Sequence, residues 1–192
     1  MCEEIVTVGL DLSLTGTGYC VKRGVCMTVG TIKTQPKDFA NDLDRLKYIT
    51  EKVMAQIPKD VKMICIEDFF TPANRTQTGA AIKIAMLGTL VRVAIYDAGY
   101  PFFIPVNSQI KKFVTGKGTS QKNIVVREVY KRWGIDAKDD NQADACGMAH
   151  LAEALVEAPE VVKERPQYQV KVVGKILEDR PRYNVNKEKV NG

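Results

Sequence analysis

Histidine is nearly absent from this chain: His150 is the only one among 192 residues. A His-based metal site and a Ser-His-Asp triad are thereby nearly excluded, and His150, in MAHLAEAL, reads as a structural or solvated residue on a helix face. Cysteine is scarce and unpatterned. Cys2, Cys20, Cys26, Cys65 and Cys146 form no C-x-x-C pair. Their odd number and scattered placement speak for reduced thiols in a cytosolic setting. No apolar run reads as long enough to span a bilayer. The N-terminus passes from Glu3 and Glu4 into a strand without the basic n-region of a signal peptide. Internal repeats are missing as well. The expectation is a cytoplasmic protein with no membrane partner.

What is present suffices for one soluble domain with a sizeable core, since 45% of residues are hydrophobic and 27% charged. The formal net charge is +5. A moderately basic balance of this kind is consistent with a polyanionic partner.

Ile5, Val6, Val8 and Leu10 deliver Asp11, and the chain then turns through Gly16 and Gly18. Alternating apolar and β-branched residues predict strands at 5–12, 16–22 and 24–33, joined as antiparallel hairpins. Leu43, Leu46, Ile49, Val53 and Ile57 recur at helical spacing over 42–57, and Pro58 closes the helix. Residues 62–70 read as a buried strand carrying Glu67. Residues 78–98 form a long helix that is apolar on more than one face, so it is buried twice. A short strand at 101–106 follows, then Asn107 capping a helix over 108–114. After the loop TGKGTSQK, Thr119 or Ser120 caps a helix running to Trp133, and 139–156 is the last helix. This order predicts an α/β fold, a five-stranded mixed sheet flanked by helices on both faces. Residues 1–158 read as the folded domain. Residues 159–192 read as a basic, loosely attached C-terminal tail in which VKVVGKIL could add a strand.

Asp11 and Glu67 close two strands of this order, and strand ends at one sheet edge share a crevice. Asp144 lies near the start of the last helix, with Asp140 and Asn141 four and three residues before it on the same face. Carboxylates gathered in this way repel, and some are forced neutral unless cations intervene. Oxygen ligands without His or Cys favour Mg²⁺ or Mn²⁺. Such a cluster suits two-metal hydrolysis of a phosphodiester. Each acid also has an ordinary role: Asp11 accepting bonds in a turn, Asp140 and Asp144 facing a helix dipole. Asp68 alternates to the opposite face from Glu67 and is left out of the set.

Lys111, Lys112, Lys117 and Lys122 bracket the Gly-rich loop, where a phosphate could approach the backbone closely. They would equally serve as a solvated helix face. Phe69 and Phe70 follow Glu67 and could stack on an unpaired base or fill the core. Asn74, Arg75 and Gln77 continue that loop as candidate DNA contacts.

The segments GLDLSLTGTGY, ICIEDFF and NQADACGMA resemble the three acidic motifs of the RuvC family of Holliday junction resolvases. VNSQIKKFVTGKGTSQKNIV resembles the lysine-bearing stretch of that family. The resemblance covers residues 5–155 and implies the RNase H-like (ribonuclease H-like) fold. It further implies a metal-dependent, structure-selective endodeoxyribonuclease of DNA recombination and repair. Such an enzyme resolves four-way junctions and other branched DNA. On that resemblance Asp11, Glu67 and Asp144 are catalytic and hold two Mg²⁺ ions, with Mn²⁺ able to substitute. Lys111 and Lys122 take the places of the catalytic or DNA-contacting lysines, and an aromatic residue of the 69–70 loop meets the branch point. A homodimer with a two-fold axis is implied too. The chain departs from the family by carrying Asn141 where Asp or His is usual, so the fourth ligand is either Asp140 or Asn141. Its compact form resembles a bacteriophage-type member, which would work in the host cytoplasm.

Two other resemblances compete. GLDLSLTGTG is similar to the phosphate loop of actin- and Hsp70-type ATPases, but those need two such domains and a longer chain. An RNA-processing nuclease of the YqgF type shares the fold, and here the lysine segment and Glu67 favour the resolvase. A non-catalytic DNA-binding module is disfavoured by the joint presence of Asp11, Glu67 and Asp144.

Overall fold

β1 (Val6–Asp11), β2 (Gly16–Arg23) and β3 (Cys26–Lys33) form an antiparallel meander. They are seen in a computed structural model that describes residues 4–68 and 79–179. After α1 (Asp42–Met54) the chain returns as β4 (Met63–Ile66), parallel to β1. After α2 (Gly79–Asp97) it returns again as β5 (Phe102–Phe103), parallel to β4. The strand order is β3-β2-β1-β4-β5. The mixed five-stranded sheet expected from the sequence is therefore present, although the fifth strand is shorter than its apolar run.

Alternation along the strands assigns the two faces. Val8, Leu10, Ile64 and Ile66 meet Leu46, Ile49 and Val53 of α1 and Leu87, Val91 and Ile95 of α2. On the other face Met63, Cys65 and Phe103 meet α5 (Asp140–Val156), through Met148 and Leu151, and Phe113 of α3 (Asn107–Thr115). Val125 and Val129 of α4 (Lys122–Trp133) pack on α5 from outside. Cys20, Cys26, Cys65 and Cys146 are free thiols.

Two glycines let α5 lie directly on the sheet. A Cβ at Gly9 would stand 2.0 Å from the Ala145 carbonyl oxygen and 2.5 Å from the Ala149 nitrogen. A Cβ at Gly18 would stand 2.3 Å from the Asn141 carbonyl oxygen. Both obstacles are helix backbone, so the whole helix would have to move. Gly9→Ala is expected to cost roughly 1–3 kcal/mol, the usual range for overpacking, or more. Urea unfolding would show this as a lower midpoint. An unchanged midpoint would mean that α5 slides freely over β1.

Residues 159–179 differ from the expected loose tail. α6 (Pro159–Glu164) and α7 (Gln167–Asp179) are helices. Val172, Val173 and Ile176 are buried with the α3 and α5 side chains. Gln169 donates to the Phe113 carbonyl at 3.0 Å. The β-branched run VKVVGKIL looks like a strand by composition, but its buried positions repeat at helical spacing, and packing decides over propensity. A second difference concerns α2. Its 19 residues are long and apolar enough to cross a membrane by length and composition, contrary to expectation. Lys83 and Arg92 interrupt it, and Leu87, Gly88, Val91 and Ile95 are buried against the sheet and α1.

Candidate active site

Asp11 is the last residue of β1, and Glu67 directly follows β4. Leu10 and Ile66 are register partners in the parallel pair, so the two acids are neighbours at one sheet edge. Asp11 shares its face with Gly9, and Glu67 shares its face with Cys65. Both therefore lie on the side that α5 covers. Asp144, in the second turn of α5, completes the group.

The electrostatics follow from that convergence. Burial, then the Glu67 and Asp144 charges and a hydrogen bond with Glu67, raise the Asp11 carboxyl well above the ordinary carboxylate range, and Lys122 partly offsets them. Burial and the Glu67 charge push Asp144 up to about 6, with Asp140 adding to the rise and Lys122 and Lys111 opposing it. Among the described residues no three His, Cys, Asp or Glu side chains stand together as a ready-made ion cage. The Glu67 charge nevertheless raises the proton affinity of both Asp11 and Asp144, as an all-oxygen, net-negative donor set does without a cation. Divalent oxygen-seeking ions fit that set, and no nitrogen or sulfur ligand accompanies it among the described residues.

The remaining predicted residues divide. Lys122 opens α4 and forms an ion pair with Asp140. The Asp140 hydrogen bond is the main cause that raises the Lys122 ammonium, and the same bond lowers the Asp140 carboxyl. Lys111, on α3, acts on Asp144 through its charge. Lys112 and Lys117 are exposed along the end of α3 and the following loop. The Lys117 carbonyl is tied by the Thr115 and Ser120 hydroxyls, which holds the loop in shape. Asn141 donates its amide to the Gly16 carbonyl at 2.7 Å, strapping the start of α5 to the β1–β2 turn. Asp139 caps α5 by accepting from the Gln142 N–H at 2.8 Å. Phe69, Phe70, Asn74 and Arg75 lie outside the described residues.

Two residues at the site were not among those singled out. Asn107 donates to the Glu67 carboxylate, and Arg92 of α2 donates to the Glu67 carbonyl at 3.1 Å. Asn107 reads in sequence as a helix cap. In the structure Val106 takes the cap position, and its N–H is satisfied by the Gln109 side chain at 3.0 Å. Asp68 points away from Glu67, as strand alternation requires, and pairs with Arg92.

Comparison with known proteins bears on this site. The family model for "Crossover junction endodeoxyribonuclease RuvC" matches residues 7–152. The protein of that name from Trichlorobacter lovleyi is 30% identical over 156 residues, 75% of this chain and 83% of the relative. The one from Baumannia cicadellinicola is 26% identical over 152 residues, 77% of this chain and 84% of the relative. Among solved structures, Thermus thermophilus RuvC superposes with a TM-score of 0.60 at 23% identity, over 76% of this chain and 91% of that one. The same protein in complex with a Holliday junction substrate superposes with a TM-score of 0.59 at 21% identity, over 76% and 90%. The fold is thus RNase H-like.

Proposed function

We propose a function from one premise: the chain belongs to the RuvC family of crossover junction endodeoxyribonucleases. It is an endodeoxyribonuclease that resolves Holliday junctions. The family also makes it a divalent-metal-dependent nuclease that works on DNA rather than on RNA or ATP, so the ATPase and RNA-processing alternatives fall away. The site assignment is our reading. The observation that carries it is the convergence of Asp11 and Glu67, at one sheet edge, with Asp144 of α5: Glu67 raises the proton affinity of both other acids, and Asp144 raises that of Asp11.

Asp11, Glu67 and Asp144 would hold two Mg²⁺ ions, with Asp140 or Asn141 as a fourth partner. Bound there, such ions would make water nucleophilic at neutral pH and would stabilise the leaving oxygen. The chain's own residues do the rest. Lys122 and Lys111 place cationic charge beside the acids, where the scissile phosphate gathers negative charge. Asp140 holds Lys122 in place through their ion pair. Lys112 and Lys117 extend the positive track for the DNA backbone. Phe69 and Phe70 would stack at the branch point and Asn74 and Arg75 would contact the strands there.

A synthetic four-way junction and a matched linear duplex, each with Mg²⁺, with Mn²⁺ and with chelator, test this reading. The expected result is paired, cation-dependent nicks in the junction alone. Equal cutting of both substrates would end the case for junction selectivity, and cutting in chelator would end the case for metal dependence.

The working unit is proposed to be a homodimer, since a two-fold axis presents two sites to two strands. α2 supports this. Its outer face exposes Ile82, Met86, Leu90 and Val93 along one helix, next to Leu43 of α1. An apolar row of this kind fits a second copy better than water. Met86→Glu with Leu90→Glu is expected to convert a dimer to a monomer in sedimentation and to abolish paired nicking. A parent protein that sediments as a monomer at micromolar concentration would refute the dimer.

A further inference from the structure

We propose that Asn107 and Arg92 are positioning residues for Glu67, gripping it from two sides. The inference rests on the reading of Glu67 as a metal ligand. Glu67 lies one residue past β4, where the strand ladder no longer fixes it. Its N–H reaches the Leu10 carbonyl at 3.4 Å, a long contact. Orientation must come from elsewhere, and two elements supply it.

α3 supplies the side-chain grip. Because Val106 and Gln109 close the start of that helix, the Asn107 amide is available to the Glu67 carboxylate, and its Nδ2 donates to Oε1. α2 supplies the main-chain grip. The Arg92 guanidinium donates to the Glu67 carbonyl at 3.1 Å and approaches Asp68 Oδ1 at 3.5 Å. Asp68 is thus paired on the far face, away from the group around Asp11. The chemistry of the two donors is apt. A neutral amide orients a carboxylate without cancelling the charge a cation needs, whereas a lysine at position 107 would compete with that cation. Outer partners of this type hold a ligand in its binding rotamer, and losing one typically weakens metal affinity about 10–100-fold.

The test titrates the full-length, DNA-free protein with Mn²⁺ and follows free Mn²⁺ by electron paramagnetic resonance. Melting in chelator is recorded beside it. Asn107 is exposed, so Asn107→Ala should fold as the parent does. The expected result is Mn²⁺ binding weakened about tenfold or more in Asn107→Ala and in Arg92→Met, partial recovery in Asn107→Gln, and a melting midpoint for Asn107→Ala equal to the parent's. Glu67→Gln separates the two levels of the argument. Should it weaken Mn²⁺ binding while Asn107→Ala does not, the positioning role is wrong and the ligand assignment stands. Should it leave Mn²⁺ binding intact, the ligand assignment itself fails and takes the positioning role with it. A drop in the chelator midpoint of Asn107→Ala that accounts for its weaker binding would mark Asn107 as merely structural and overturn the proposal.

Discussion

Asp11→Asn is expected to leave a protein that folds and binds a four-way junction but cuts it at least about a thousandfold more slowly. The substitution is nearly isosteric, so β1 and its neighbours are undisturbed. What changes is charge. On the proposed assignment Asn would not supply the anionic oxygen that a bound cation needs, and losing a direct ligand should cost more than the ~10–100-fold typical of an outer partner. A second effect has the opposite sign. Without cations the three acids repel: burial and the Glu67 and Asp144 charges hold the Asp11 carboxyl well above its ordinary range. Removing one charge relieves that repulsion, so Asp11→Asn should melt higher than the parent in chelator. In Mg²⁺ the order should narrow or reverse, because only the parent gains from binding the ion. Cleavage assays with and without Mg²⁺, and melting curves in both conditions, check the pair of effects together. A variant that loses activity and also melts lower in chelator would show that Asp11 is a structural hydrogen-bond acceptor. The outcome would be a site built at some expense to stability, a common feature of functional clusters.

Much of this was legible in the sequence because the relevant signals are local. Alternation identified β1 and β4, and with them the face on which Asp11 and Glu67 point. The i, i+4 spacing put Asp140 and Asp144 on one side of α5. Signals that depend on another element were harder to read. Gly9 and Gly18 look like ordinary strand glycines until α5 is laid over them, 2.0 Å and 2.3 Å from where their Cβ atoms would be. Asn107 has the composition of a cap, and only the position of Glu67 reveals its partner. Arg92 looks like a charge interrupting an apolar helix, and its role depends on where β4 ends. The α7 run Val170 to Ile176 satisfies the composition of a strand. Its helical state is fixed by the surfaces of α3 and α5, which no window of sequence contains.

Glu153→Gln should destabilise the fold by about 3–5 kcal/mol at neutral pH, the range for breaking one partner out of a buried ion pair. Glu153 sits on α5 at the end remote from Asp144 and binds three elements together. Lys22 of β2, only 6% exposed, donates to Oε1 at 2.5 Å. Arg165, which follows α6, donates to Oε2 at 3.0 Å and also grips Glu157 at 2.7 Å. His150 lies 3.7 Å away and stacks on Trp133 at 3.8 Å between centroids. Burial alone would push the Glu153 carboxyl up, and the His150 and Lys22 partners overcome it, holding it at about 2. Burial lowers the His150 imidazole, so at neutral pH His150 is uncharged and the lysine and arginine carry the pairing. Gln in place of Glu would leave Lys22 buried without its counter-charge and would loosen Arg165. The sign with pH follows. A carboxyl held below its unfolded value near 4.5 contributes stability above that pH and loses it as pH falls toward 2. Urea unfolding of parent and variant should therefore show a wide gap at pH 7 that shrinks as pH falls below about 4.5, because the parent loses at acid pH what the variant never had. A gap that stays constant down to pH 3 would mean that packing, not charge, is what Glu153 contributes. Since Arg165 joins this cluster to α6 and α7, the variant should also expose residues 159–179 to protease before the rest of the chain. That order of cleavage would identify the ion-pair cluster as the lock holding the C-terminal helices against α5, the helix that carries Asp144.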